Sequence, residues 1–418
     1  MEHRKNRNLH VVKDTEEQTE KLVRKIVKEL NSENSEKIED LEEQVRKQRK
    51  KHRRKVLLGC ITAAAVIAAI FIFIQLQTYS SVRVFDTYSF EGAVDSNYRQ
   101  FAGRVLKYSR DGISYLDQNG EEQWNQAYQI KNPFVVVNDV SGAVADKGGN
   151  DIIVFQKDGV KGEIHTSLPI ENISLSEQGI VCAVLKENTT PRIVCYDAAG
   201  NILVEHKASF TGAGYPVSVS ISPDGEVMQT VYLSVEDGRI TGKTAYYNFG
   251  EAGEDKTDRQ VSEHEYDGTV MASGFFLDQN TSAVVGDNCL VIYKGNDVPE
   301  EDTKITIEKE IKSVFHSDKY IGLVLRNEGK GGYELRLYNK SGKNVLSQEF
   351  TGDYNNIKMC GSQVIMYDGK QCSVFLKSGI QKFQGEMQNN ILEIFPVAGV
   401  NKYIVMNANG MELVRFVK

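Results

Sequence analysis

The 418-residue chain is short of the residues that build the simplest special architectures, with 6 Cys, 7 Pro and 1 Trp. Six cysteines are too few for a disulfide-built scaffold of this length. Scarce proline, set against 35 Gly, 19 Tyr and 17 Phe, argues against a disordered or collagen-like chain. The sign of the net charge, −7, leaves no footprint of a nucleic-acid binder, and no nucleic-acid partner is expected. Length alone suggests two or three domains unless the chain is a repeat.

What is present is segregated. Residues 1–55 hold 17 Lys/Arg and 12 Asp/Glu, a net +5, so the remainder carries −12. Next comes Val56 to Leu76, VLLGCITAAAVIAAIFIFIQL, without a charge. At 1.5 Å rise per residue, such a helix reaches roughly 30 Å, the hydrocarbon thickness of a bilayer. Fifty-five preceding residues are too many for the leader of a cleaved signal peptide, so the run reads as a signal anchor. RKQRKKHRRK, Arg46–Lys55, has eight Lys/Arg in ten positions on its near side. Basic flanks stay cytoplasmic, which predicts a single-pass cell-membrane protein with its N-terminus inside and its C-terminal domain extracellular. The organisation expected is a basic, partly helical cytoplasmic arm over 1–55, an anchor over 56–76, a linker over 77–80 and an extracytoplasmic domain over 81–418. In the arm, Leu22, Val23, Ile26, Val27 and Leu30, then Ile38, Leu41 and Val45, predict two short amphipathic helices with weak self-association.

After Ser80 the chain turns to short Val/Ile/Tyr/Phe runs between Gly/Asp/Asn/Ser turns, an all-β texture. One strand–turn–strand element recurs at Gly120, Gly159, Gly200, Gly250, Gly295, Gly342 and Gly379, with a mean spacing of about 43 residues, that of a four-stranded propeller blade. Upstream hairpin signals such as VVVNDVSGAVAD and SISPDGEVMQTVYL complete each unit. Residues 80–418 hold close to eight such units, so the fold expected is an eight-bladed β-propeller, with seven blades as the alternative. The last unit has room for three strands, and SVRVFDTYSF stands alone before the first. A ring whose last blade borrows its outer strand from the N-terminus accounts for both.

The D-x-x-G turns and the SPDGE hairpin at Ser222–Glu226 resemble those of quinoprotein-like and WD40-like β-propellers. The layout as a whole resembles a family of uncharacterised bacterial membrane-anchored, propeller-like proteins. Quinoprotein blades repeat a late Trp, whereas this chain has Trp124 alone, so no quinone and no other cofactor is expected.

Catalytic motifs are not found: there is no G-x-S-x-G and no H-E-x-x-H, and His165, His206, His264 and His316 fall in different units. Outside the anchor, Cys182, Cys195, Cys289, Cys360 and Cys372 form no C-x-x-C pair and read as small buried core residues, although Cys182 and Cys195 are placed to face each other across a hairpin. No metal site is expected, and Glu251–Asp267 reads as a solvated acidic insertion. The function expected is a binding or scaffold module for a protein or glycan at the cell envelope; the alternatives are an enzyme with its site over the channel, or a sensor signalling through the arm. If the N-terminal strand is outermost, the chain enters at one rim, at most roughly 14 Å of extended chain from the membrane. The opposite rim then carries the long loops: Asp146–Asp151, Lys186–Pro191, Ser209–Pro216, Glu251–Asp267, Asn327–Tyr333 and Thr351–Asn355. Tyr215, Tyr266, Tyr333 and Tyr354 in those loops are the binding residues expected on this membrane-distal face.

Overall fold

A computed structural model of the chain describes residues 19–24, 26, 35–90, 95–187, 191–207, 214–327, 329 and 331–418. It divides into two compact units, Met1–Gln77 and Thr78–Lys418.

In the first unit a helix, α1, runs unbroken over Ser35–Leu76. The expected second amphipathic helix is therefore not a separate element, because nothing between Glu36 and Leu76 breaks helical geometry. Within it, Arg46–Ile74 is long enough to cross a membrane, and its most apolar 18-residue stretch has a mean hydropathy of 2.8. Leu22 and Ile26 of the upstream stripe are exposed, while Val27 and Leu30 lie outside the described residues.

The second unit is an eight-bladed β-propeller: eight antiparallel sheets of four strands each. Blades 1 to 7 are consecutive in the chain, covering 97–127, 133–165, 170–207, 215–267, 271–306, 311–350 and 356–386, and each runs in simple order from inner to outer strand. Blade 8 joins three C-terminal strands over 393–417 to Ser81–Ser89, which pairs with Gly410–Val417 as the outermost strand. The expected closure is the observed one.

The recurrent turns have a common cause. In D-Q-N-G at 117–120, Oδ1 of Asp117 accepts the amides of Asn119 and Glu121, and Gly120 takes φ +78°. Asn339 does the same for Ser341 and Lys343, and the Gly342 amide donates to the Asn339 carbonyl. The short polar side chain closes the turn and glycine supplies the left-handed residue. Between neighbouring blades lie eight apolar clusters, one per interface, from Phe101 and Phe155 between blades 1 and 2 to Phe395 and Met411 between blades 8 and 1. At roughly 1.5–3 kcal/mol per fully buried large side chain, these interfaces hold the ring together.

The cysteine expectation is overturned at one pair. Cys182 and Cys195 stand directly opposite each other on the second and third strands of blade 3 and form a disulfide. It is buried in the interface with blade 4, where Sγ of Cys195 lies 3.9 Å from Sδ of Met228. Cys289, Cys360 and Cys372 are free thiols.

Candidate functional rim

Ser81 pairs with Val417, where the third strand of blade 8 ends, and the Tyr79 amide donates to the Lys382 carbonyl at the start of the outer strand of blade 7. The chain therefore enters at the rim that carries the turns between first and second and between third and fourth strands. The far rim carries the turns between second and third strands and the connections from blade to blade.

Five of the six long loops belong to the far rim, although residues 188–190, 209–213, and 328 and 330 of three of them lie outside the described residues. The sixth expectation is wrong. Residues 250–259 form the third-to-fourth turn of blade 4, with two short 3-10 segments, on the entry rim, and Gln260–Asp267 is the outer strand of that blade. Glu263 and Glu265 sit on that strand paired to Lys243 at 3.1 and 2.9 Å. An outer strand is solvated along one side, so its carboxylates mimic a loop.

Tyr266 accordingly leaves the candidate site. It is 5% exposed, and its hydroxyl bonds Tyr293 and Glu301, both at 2.6 Å, with the Lys304 ammonium 4.8 Å from the ring centre. Burial, then the charge of Tyr293, pushes its pKa far above the ordinary tyrosine value. It ties blade 4 to blade 5 and offers nothing to a partner.

Tyr215 is half-buried at the head of the inner strand of blade 4, and its hydroxyl donates to Oε2 of Glu171 at 2.7 Å. That bond, reinforced by burial, raises its pKa to about 12. It lines a cavity of about 480 Å³ with Phe134, Lys147, Glu171 and Val217.

Tyr333 and Tyr354 are the two predicted residues that come together. Both are half-buried against Phe350, at ring-centre distances of 5.7 and 6.1 Å, and the Tyr333 hydroxyl donates to Oδ1 of Asp353 at 3.2 Å. Burial raises the Tyr354 pKa, with Ser373 and Gln384 as its hydrogen-bonding neighbours. Gly352, at φ +111°, makes room: a Cβ there would stand 2.8 Å from the Tyr354 ring. Beside this cluster, a cavity of about 360 Å³ opens between blades 6 and 7, lined by Asn327, Glu349, Phe350, Thr351, Gln381 and Gln384.

Sequence reasoning missed the polar members of this notch. Gln381 and Gln384 lie on the outer strand of blade 7, 31 and 30 residues beyond Phe350 and Tyr354, and strand pairing alone does not bring them there. It also missed Glu334, 7% exposed at its side chain, which accepts hydrogen bonds from Arg336, Lys309 and Ser347. Burial alone would raise its pKa, but those donors bring it down to about 2.

No curated protein matches the sequence. Among solved structures, BamB from Moraxella catarrhalis is similar at 10% identity and a TM-score of 0.48, over 81% of this chain and 100% of its own. Hsv2 from Kluyvelomyces marxianus is similar at 8% identity and a TM-score of 0.44, over 67% and 91%. The Pan2 WD40 domain from Neurospora crassa is similar at 8% identity and a TM-score of 0.40, over 82% and 95%. The family model that matches covers residues 75–416, the propeller almost from end to end, and the chain belongs to that family, the Family of unknown function (DUF5711).

Proposed function

We propose that this protein is a membrane-anchored binding module that holds an extracytoplasmic partner on the far rim of its propeller. The observation that carries the reading is the Tyr333–Phe350–Tyr354 cluster: two half-buried tyrosines backed by a core ring on the rim opposite the point of chain entry, beside a notch that runs between the outer strands of blades 6 and 7. Tyrosine gives large contact area at little entropic cost, and long loops on a rigid ring are where binding sites reside. The anchor is the uncharged run Val56–Leu76 within α1, and its basic flank, Arg46–Lys55, supports a cytoplasmic N-terminus and an external propeller.

Replacing Tyr333 and Tyr354 together with Ser in the full chain tests this. Loss of captured cell-envelope partner, with the propeller still melting cooperatively, supports the reading. Undiminished capture, together with loss on substituting the turns at Gly120 and Gly200, would move the binding surface to the entry rim and overturn it. The unbroken course of α1 from Ser35 to Leu76 favours, as a second reading, a sensor that passes occupancy of the propeller to the arm.

A further inference from the structure

The turns of the entry rim divide by charge. In blades 3 to 5 they are residues 176–180, 197–201, 222–226, 249–259, 279–280 and 295–299, and they hold nine Asp/Glu against two Lys/Arg. In blades 6 to 8 the corresponding turns are 317–319, 340–343, 361–362, 377–380 and 397–401, and they hold four Lys against one Asp. Lys319, Lys343 and Lys377 are exposed and Lys340 is half-buried. Lys319 pairs with Asp318 at 3.1 Å, Lys340 pairs with Asp278, and the Lys377 ammonium stands 5.5 Å from the centre of the Tyr320 ring. Two apolar side chains stand among these cations. Val400, 53% exposed, lies in the 397–401 turn of blade 8. Val345, 40% exposed, is the extra residue of a bulge in the outer strand of blade 6, where Leu337 faces Leu346 and Tyr338 faces Asn344.

The chain enters the ring in this basic sector. Ser81 pairs with Val417 at the edge of blade 8, and the Tyr79 amide donates to the Lys382 carbonyl of blade 7. Residues 77–80 alone separate Ser81 from the uncharged run Val56–Leu76, at most roughly 14 Å of extended chain. A bilayer that holds this run has its headgroups within reach of blades 6 to 8. Lysine ammonium groups on flexible stems suit phosphate as point charges, and exposed valines among them suit the apolar boundary beneath the headgroups. Half-buried Tyr79 and Tyr320 are amphipathic rings of the kind enriched at that depth. We infer that the turns of blades 6 to 8 on the entry rim form a contact surface for anionic phospholipid headgroups. The acidic turns of blades 3 to 5 are repelled by such a surface, so the contact is one-sided. This rests on the anchor reading of Val56–Leu76 and is independent of the partner at the far rim.

Amide hydrogen exchange of the full chain tests this, in nanodiscs of phosphatidylcholine alone and with about 30% phosphatidylglycerol. In the anionic discs the 340–343 and 397–401 turns should exchange roughly tenfold more slowly, and about 1 M salt, where the Debye length is about 3 Å, should remove the difference. The acidic 249–259 turn of the same rim should exchange alike in both lipids. Lys319→Glu, Lys343→Glu and Lys377→Glu together should abolish the protection, and Val345→Ser with Val400→Ser should weaken it. All five positions are exposed, so unchanged melting keeps each loss attributable to the surface. Protection that is equal in the two lipids, or that extends evenly to 249–259, overturns the assignment. Protection that appears only when a second protein is added overturns it as well and makes the sector a protein interface. A chain that fails to enter the discs removes the anchor reading, and this inference with it. A chain that enters, with its rim turns exchanging alike in both lipids, removes this inference alone, and capture at the far rim stands or falls by its own assay.

Discussion

The hydroxyl of Tyr266 donates to Oε2 of Glu301 at 2.6 Å and takes the proton of Tyr293 at the same distance, so one phenol fastens the outer half of blade 4 to blade 5. A residue that sequence alone offers to a partner is spent inside the molecule. Tyr266→Phe should therefore lower stability by about 1–3 kcal/mol, because the Tyr293 hydroxyl is left buried without its acceptor. Binding at the far rim should be untouched. A denaturation curve beside a capture assay checks both, and reduced capture at unchanged stability would return Tyr266 to the site.

The disulfide gives a second expectation. Closing a 13-residue separation, the Cys182–Cys195 bond should contribute about 3 kcal/mol through the unfolded chain. Cys182→Ala with Cys195→Ala should shift the denaturation midpoint of the oxidised protein down, and a reductant should then have no further effect. A midpoint equal to that of the unsubstituted protein would mean that the bond does not restrain the chain.

Stability should also fall in acid through Glu334. Its folded pKa, about 2, lies below the reference 4.5, so its contribution is complete above about pH 4.5 and is lost as pH drops through 2. The full effect is about 3 kcal/mol for a side chain so little exposed. Glu334→Gln should be markedly less stable at pH 7, and the gap to the unsubstituted protein should narrow between pH 4.5 and 2. A gap that stays constant with pH would contradict the ion network.

Orientation has its own check. Protease added to wall-stripped cells should remove the propeller and leave the arm with α1. A protected propeller would reverse the assignment drawn from Arg46–Lys55.

Sequence legibility followed the physics of each element. The ring was readable because most blades repeat the same local device, an Asp or Asn and a Gly in a tight turn between apolar strands, and because an unpaired first strand must answer a three-stranded last blade. Blade 4 was misread at Gln260–Asp267 because its alternation places carboxylates on the solvated side and leaves Val261 and Tyr266 as the inward signals. The disulfide depended on register: Leu185 opposite Arg192 is what sets Cys182 opposite Cys195, and the hairpin loop between them does not announce its length of pairing. Tyr333 and Tyr354 were found because aromatic residues in long loops are conspicuous, whereas Gln381 and Gln384 sit on an ordinary polar strand and acquire meaning only once blades 6 and 7 are side by side.

The final ladder joins Ser81 to Val417, residues 336 positions apart in the chain. Such a contact has the greatest loop-closure cost available to this fold, and topologies dominated by distant pairings fold slowly. Deleting Ser81–Ser89 should leave a protein that oligomerises through the bared edge of Gly410–Val417, seen as a shift in size-exclusion elution; a monomer with undiminished melting would deny the strand its role. In the cell the same geometry acts as a clock. The ring cannot shut until Gly410–Val417 has been made and reaches the first strand, so a chain cut short before that strand is held open, with a sticky edge exposed to proteolysis.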